Sequence, residues 1–426
     1  MSATPRPAGM SLAGRAGERT VVRTYKYRLY PTRAQIVALV AQLAACCDLY
    51  NAALEHRRWM WREYGVSVSY GEQSAELRAL RALGLVPAAA NFWCQQAVLR
   101  RLDRAFEAFF GRLKAGQKPG FPRFRSRRRF DTLTWTLKGN AGGVGIKHDR
   151  LRLQGVGAVK VKWHRALPAG ARLGEVRVTR SGDGRRWYVS ISVELPAAGR
   201  ARAAASKAVG IDLGVADFAA LSTGERVPGP NASKRTAART RRAARTVARR
   251  KRGSNRRRKA AVRLARQRER EANRRRDHAH KLSRRIAEEF ALIGMEDLRI
   301  GNMVRSASGT VAEPGINVSQ KRGLNRAIAD QGWGQFQQFV ADKAEEAGRQ
   351  LVKVNPANTS RTCSACGHVD ARSRNGKRFW CVACGYRADA DVNAAKVILA
   401  RALAQAGVDR PGWGRQARTP ALADVA

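Results

Sequence analysis

Residues 21 to 31 (VVRTYKYRLYP) alternate apolar and polar positions, which predicts a strand ended by Pro31. A helix is expected after Thr32, a favourable N-cap. Ile36, Leu39, Val40, Leu43, Cys47, Tyr50 and Leu54 then recur at helical spacing and form one apolar face. A second helix carries Val98, Leu102, Phe106, Phe109 and Leu113, an aromatic stripe that reads as core rather than as a base-stacking surface. Residues 32–115 thus read as a small helical domain. Over 130–195 the period changes to two. Val159–Trp163, Glu175–Val178 and Trp187–Val193 alternate between glycine-rich turns such as Ser181-Gly-Asp-Gly184. This predicts a small antiparallel barrel or sheet. If the first strand joins it, the helical segment is an insertion.

Ala208-Val-Gly-Ile-Asp212-Leu reads as a buried strand with an acid inside it, and Phe290-Ala-Leu-Ile-Gly-Met-Glu296 as another ending in an acid. Between them, residues 234–281 hold 22 Lys and Arg against three acids, with a break at Gly253-Ser-Asn255. Two long basic helices joined by a short turn are expected there. Residues 301–322 read as a mobile loop, followed by a helix around Leu324–Gly348, a strand Gln350–Val354 and a last helix from about Asp391 to Ala406.

Charge narrows the partners. The 426 residues contain 82 Lys and Arg against 33 Asp and Glu, a formal +49. A compact body with that surplus repels itself unless a polyanion neutralises it, and nucleic acid is the obvious one. A merely soluble or ribosome-associated basic protein would share the charge. The basic, aromatic-interleaved run Lys118-Pro-Gly-Phe-Pro-Arg-Phe-Arg-Ser-Arg127 is a candidate phosphate grip through Arg123, Arg125 and Arg127, as is Arg256-Arg257-Arg258-Lys259 at the turn between the basic helices. No long apolar run is read as a membrane span, and the first twenty residues lack an apolar signal core. Cytoplasm, with nucleoid association on DNA, is the expected location.

The chemistry lies near the C-terminus. Cys363-Ser-Ala-Cys366 and Cys381-Val-Ala-Cys384 are separated by fourteen residues, the spacing of a structural zinc ribbon. Cys46, Cys47 and Cys94 lie in apolar contexts and read as core, and His368 as a bystander, since four thiolates complete a zinc cage. Asp212, Glu296 and Asp391 each have a bland reading, as turn residue, strand-end acid and helix N-cap. Brought together, they would make a hard oxygen site for Mg2+ or Mn2+, able to activate water and stabilise the leaving oxygen of a phosphodiester.

Several motifs are recognisable in order: Tyr27-Arg-Leu-Tyr-Pro31, Gly120-Phe-Pro-Arg-Phe124, Gly210-Ile-Asp-Leu-Gly214, Asp277-His278 with His280-Lys281, Glu296-Asp-Leu298, Thr359-Ser360 with the four cysteines, and Asp391-Val-Asn-Ala-Ala. From about Tyr25 to Ala400 the chain resembles the TnpB family of transposon-associated RNA-guided DNA nucleases and the related compact type V CRISPR effectors. The resemblance implies a multidomain α+β protein. An RNase H-like RuvC nuclease domain with a zinc-ribbon insert would follow a small wedge-like β-barrel domain carrying a helical insert. It implies Asp212, Glu296 and Asp391 as the catalytic, Mg2+-binding carboxylates, with guide RNA and target double-stranded DNA as partners. The implied division is 1–20 as a disordered lead-in, 21–31 with 116–200 as the barrel, and 32–115 as the helical recognition domain. Residues 205–356 with 386–406 would form the nuclease domain, 357–385 the target-nucleic-acid-binding ribbon, and 407–426 a flexible tail. Many relatives flank the acid before the last catalytic one with a histidine and an arginine; here the stretch is Arg387-Ala-Asp389-Ala-Asp391, so Asp389 is a candidate to share or replace the role of Asp391, which the Asp-x-Asn-Ala-Ala anchor favours. An aromatic common before Thr359-Ser360 is replaced by Asn358. The competing functions are an RNA-guided DNA-binding repressor with little cleavage, which the three acids argue against, and a transposase or its accessory. Oligomeric state is not legible.

Overall fold

A computed structural model describes residues 20–86, 90–136, 143–168, 172–196, 207–232, 236–310 and 313–407. The expected lead-in, save Thr20, and the expected tail, save Gly407, lie outside these residues. The chain divides into two compact units, Met1–Ala198 and Gly199–Ala426.

The first unit starts with strand β1 (Thr20–Tyr30), followed by helices α1 (Arg33–Tyr64), α2 (Tyr70–Ala82) and α3 (Phe92–Lys114). Six strands follow: β2 (Thr132–Thr136), β3 (Val144–Lys147), β4 (Arg150–Leu153), β5 (Gly157–Lys162), β6 (Arg172–Arg180) and β7 (Trp187–Pro196). They form one seven-stranded antiparallel sheet in the order β2-β6-β7-β1-β5-β4-β3. β1 does join this sheet, between β7 and β5, so the three helices are an excursion from it. Thr32 caps α1 in a reciprocal box: its hydroxyl accepts from Gln35 N and its own N–H donates to the Gln35 side chain. Leu39, Leu43, Cys47, Tyr50 and Leu54 of α1 are buried with Tyr27, Trp135, Trp187, Cys46 and Cys94 in one core. Each large apolar side chain so buried contributes roughly 1.5–3 kcal/mol.

Four sequence expectations change here. Ile36 and Val40 are exposed, because the apolar face of α1 is wider than the surface it covers. The α3 stripe is core only in its first half, at Val98 and Leu102; Phe106 and Phe109 are half-buried, and Phe110 and Leu113 exposed. Helix α2 was not expected from its weak apolar pattern, although Ser69 and Glu72 form a complete capping box. Finally, α1 is long and apolar enough, by length and composition, to cross a membrane. Its buried stripe is instead committed to this core.

The second unit is built on five strands: β8 (Ala208–Leu213), β9 (Ala219–Leu221), β10 (Arg226–Val227), β11 (Leu292–Glu296) and β12 (Gln350–Val354). Their order is β10-β9-β8-β11-β12. β8, β11 and β12 run parallel, while β9 and β10 are antiparallel additions. The connection from β10 to β11 contains the basic helices α4 (Ala237–Arg249) and α5 (Asn255–Glu289), broken at Gly253 (φ 85°) with Ser254 capping α5. After β11 come α6 (Ile300–Met303), α7 (Val318–Gln331) and α8 (Trp333–Glu346). The segment read as a mobile loop over 301–322 thus contains a short helix, a bridge between Gly309 and Pro314, and the first turn of α7. The helix expected over Leu324–Gly348 is two, because Gly332 takes the left-handed φ of 74° that ends one and starts the other. After β12 come a short three-stranded sheet, β13 (Arg374–Asn375), β14 (Arg378–Trp380) and β15 (Arg387–Asp389), and helix α9 (Ala390–Gln405).

The five-stranded sheet has different covers on its two faces. Val209, Ile211, Ile293 and Met295 pack on one face with Leu282 and Ile286 of α5 and Phe336 and Val340 of α8. Leu292 and Val354 pack on the other with Ile398 and Ala402 of α9. Side chains alternate along a strand, so Gly210 and Gly294 face α9. A Cβ on Gly210 would lie 2.1 Å from the Ala395 carbonyl oxygen, and one on Gly294 2.7 Å from Ala402 Cβ. The two glycines allow the helix backbone to lie directly on the strands.

Candidate active site and metal centre

The same alternation turns Asp212 and Glu296 toward the α9 face, at the C-terminal ends of neighbouring parallel strands. β8 and β11 pair Gly210 with Gly294 and Ile211 with Met295; one step further sets Asp212 beside Glu296. Asp391 lies in the first turn of α9. The three carboxylates line one open cleft of about 430 Å³ with Thr359, Arg374 and Lys377.

The surroundings fix each acid differently. Burial, reinforced by the charges of Glu296 and Asp391, pushes the Asp212 carboxyl up to about 7. Burial also raises Glu296, opposed by the Thr359 hydroxyl, which donates to its Oε1. Gln337 Nε2 holds the Glu296 carbonyl at 3.2 Å. Asp391 Oδ1 accepts from Arg374 at 3.0 Å. Asp389 has other work: its Oδ1 caps α9 by accepting from Asp391 N (3.0 Å) and Val392 N (3.2 Å), and its Oδ2 lies 3.5 Å from Arg226. The rest of the Asp-x-Asn-Ala-Ala motif is accounted for by packing. Asn393, fully buried, accepts from Ser364 N and donates to the Thr362 carbonyl, tying α9 to the cysteine loops. Ala394 and Ala395 are small where α9 meets the strand glycines.

The four cysteines converge. All four Sγ atoms of Cys363, Cys366, Cys381 and Cys384 lie within 4.8 Å of one another. Cys363 and Cys384 are 3.8 Å apart, and Cys366 and Cys381 3.6 Å. A tetrahedral zinc thiolate with bonds of about 2.3 Å needs sulfurs roughly 3.8 Å apart. Both CxxC turns close identically, with Gly367 N donating to the Cys363 carbonyl and Gly385 N to that of Cys381. His368 is outside the cluster; its Nε2 lies 4.0 Å from Asp370. Cys46, Cys47 and Cys94 are buried, as read from sequence.

The basic candidates divide. Arg123, Arg125, Arg256, Arg258 and Lys259 are exposed. Arg127 is exposed but makes a bidentate pair with Asp48, at 2.9 and 2.6 Å. Arg257 is half-buried and closes the α4–α5 turn on the Arg250 carbonyl at 3.0 Å. Residue-level reading missed Arg374 and Lys377, which reach the cleft from the β13–β14 hairpin. It also missed the groove of Arg241, Arg242, Arg245 and Arg249 on α4. Arg241, Arg245 and Arg249 recur every four residues, a signal that was available; nothing local marks Arg374.

Three family models match: one described as a probable transposase over residues 189–307, a Cas12f1-like TNB domain over 333–398, and a helix-turn-helix domain over 21–65. The last span is here a strand and one continuous helix. A cryo-EM structure of a Cas12f1–sgRNA–target DNA complex shares the fold at TM-score 0.55 and 16% identity, covering 89% of this chain and 98% of that one. A Streptomyces pristinaespiralis protein named "Putative RNA-guided DNA endonuclease" is 33% identical over 90% of both chains. One from Escherichia coli K12, "Putative RNA-guided DNA endonuclease InsQ", is 32% identical over 89% of this chain and 92% of its own. Identity at that level along nine-tenths of the length means that the chain belongs to the TnpB family.

Proposed function

We propose that the protein is an RNA-guided DNA endonuclease whose phosphodiester hydrolysis is carried out by Asp212, Glu296 and Asp391. The observation that carries this is the register of β8 and β11, which sets two acids side by side under the first turn of α9, where the third lies. The strand order β10-β9-β8-β11-β12, with three antiparallel strands followed by two parallel additions, supports an RNase H-like, RuvC-type domain. We assign 357–385 as its zinc ribbon, and the first unit's sheet and helices as the wedge-like and recognition parts that hold guide RNA and the DNA beside the target.

Hard oxygen donors gathered in one cleft suit Mg2+ or Mn2+; burial, and then the neighbouring carboxylates Glu296 and Asp391, raise the Asp212 carboxyl there. Asp212, Glu296 and Asp391 would hold the divalent cations, which would supply an activated water and stabilisation of the leaving oxygen. The chain does the rest. Thr359 orients Glu296 by donating to its Oε1 at the cleft wall. Arg374, which donates to Asp391, and Lys377, which donates to Asp217, line the cleft with cationic groups for an entering phosphate. Guide pairing supplies sequence specificity, and the exposed arginines grip backbone and heteroduplex shape. A reducing cytoplasm, with DNA at hand, suits the thiolate cluster.

The test is cleavage of a plasmid bearing a guide-matched target by the guide-loaded protein with Mg2+. Wild type cuts, while Asp212→Ala and Glu296→Ala bind the target and do not. Cutting at the wild-type rate by either variant would remove the assignment.

A further inference from the structure

The β14–β15 hairpin exposes a large ring with no role in the site described above. Along β14 the side chains alternate: Phe379 is buried against the cysteine cluster, while Arg378 and Trp380 face outward. Trp380 is 58% exposed, an unfavourable position for the largest apolar side chain. Its cross-strand partner on β15 is Arg387, whose guanidinium carbon lies 4.3 Å from the ring centroid. The arginine covers one side of the indole and holds the plane, a cation–π contact, yet leaves most of the residue in solvent.

The surface around it is basic. Arg378 and Arg387 are exposed, while Lys377 of the adjoining turn, 52% exposed, is paired with Asp217 at 3.0 Å. The nearby acids are already committed: Asp389 to the start of α9 and Arg226, Asp217 to Lys377 and Arg226, Asp370 to Arg372. The adjoining β13–β14 hairpin, which shares strand β14, places Arg374 and Lys377 at the lining of the carboxylate cleft. A second copy of a +49 chain is repelled from such a face, whereas a flat ring edged by arginines fits an unpaired nucleobase with its phosphates.

We propose that Trp380, braced by Arg387, is a base-stacking platform for the single strand of DNA being fed to the carboxylate cleft. This rests on the nuclease reading. Stacking on an indole accepts any base, so the platform adds affinity without sequence preference and leaves specificity to the guide. Arg387 is a positioning residue for the ring, and neither side chain touches the carboxylates.

The experiment measures binding of a fluorescent single-stranded DNA carrying the target sequence to the guide-loaded protein in the Asp212→Ala background, so that no strand is cut. Trp380→Ala is expected to weaken binding about tenfold, as for loss of one stacked base, and Trp380→Phe to restore most of it. With abasic sites replacing the bases beyond the guide-paired segment, the Ala and Trp forms should bind alike. Equal affinity of Trp380→Ala and parent on intact DNA, or the same loss on abasic DNA, overturns the proposal. So does a loss of bound zinc or of thermal stability in Trp380→Ala that Phe does not restore, since that assigns the ring to packing. Preferential loss of guide-RNA binding, read in a separate titration of labelled guide RNA with guide-free protein, overturns it in favour of an RNA contact. Wild-type cleavage in a parallel reaction separates failure of this proposal from failure of the nuclease assignment.

Discussion

Replacing Asp212 with asparagine should stabilise the protein when divalent cations are absent and abolish its response to them. Folding raises the Asp212 carboxyl from 3.8 to about 7, mainly by burial and then by Glu296 and Asp391. Between those values the folded protein keeps a proton that the unfolded chain has released. Stability therefore falls as pH rises through this window and is level above it. At about 1.4 kcal/mol per pH unit, the penalty at pH 8 is about 4 kcal/mol. This is a ceiling, because removing one charge also relieves Glu296. Asparagine keeps the shape and removes the charge. For a unit of this size, at roughly 2–4 °C per kcal/mol, the rise in melting temperature is on the order of 10 °C. The assay is thermal unfolding from pH 4 to pH 8 in buffer without added divalent cations, then with Mg2+. The variant should match wild type near pH 4 and exceed it increasingly to pH 8. Mg2+ should raise wild type, since a ligand bound only by the folded state stabilises it, and leave the variant unmoved. A variant that melts below wild type at pH 8 without Mg2+, or gains as much from Mg2+, would refute the reasoning.

Gly210→Ala should cost about 1–3 kcal/mol or more through overpacking against α9 and depress cleavage with it, read by thermal unfolding and plasmid cutting; an unchanged melting temperature would contradict the close approach. Asp389→Ala should lose about 1 kcal/mol as an N-cap and still cut, whereas Asp391→Ala should keep its stability and not cut; the reverse pattern would exchange their roles. Cys363→Ser and Cys381→Ser should lose zinc, measured by metal analysis of the purified protein, and unfold the ribbon locally; full zinc content in both would sink the cage. Glu271→Ala should destabilise the basic hairpin by about 1–3 kcal/mol, because Thr236 and Thr240 both donate to that buried carboxylate. Hydrogen exchange along α4 would register it, and unchanged protection there would count against the latch.

Much of this protein was legible in one dimension. The zinc spacing is local, since two CxxC turns close on themselves wherever they lie. The strand at 21–31, the cap at Thr32 and the turn at Gly253 follow from period, hydroxyl and glycine, each a property of a few neighbouring residues. Asp212, Glu296 and Asp391 could be singled out because an acid in an apolar strand, or at the head of an amphipathic helix, is conspicuous. Elements with weak or mixed patterns, such as α2 and the helix pair divided at Gly332, were not drawn correctly, since their apolar faces are narrow and their ends depend on what they pack against.

Proximity was the province of the tertiary structure. Only the parallel register of β8 and β11 sets Asp212 beside Glu296, and only the close seat of α9 on Gly210 and Gly294 brings Asp391 over them. The arginine at the cleft is seventeen residues before its partner acid, in a different element. The division of labour between Asp389 and Asp391 is likewise decided in space: two identical side chains two residues apart differ because one faces the helix's own N–H groups and the other the cleft. Sequence fixes which groups can do chemistry, through their type and periodicity. Which of them share a site depends on distances between segments far apart in the chain, and those exist only once the strands have paired and the helices have docked.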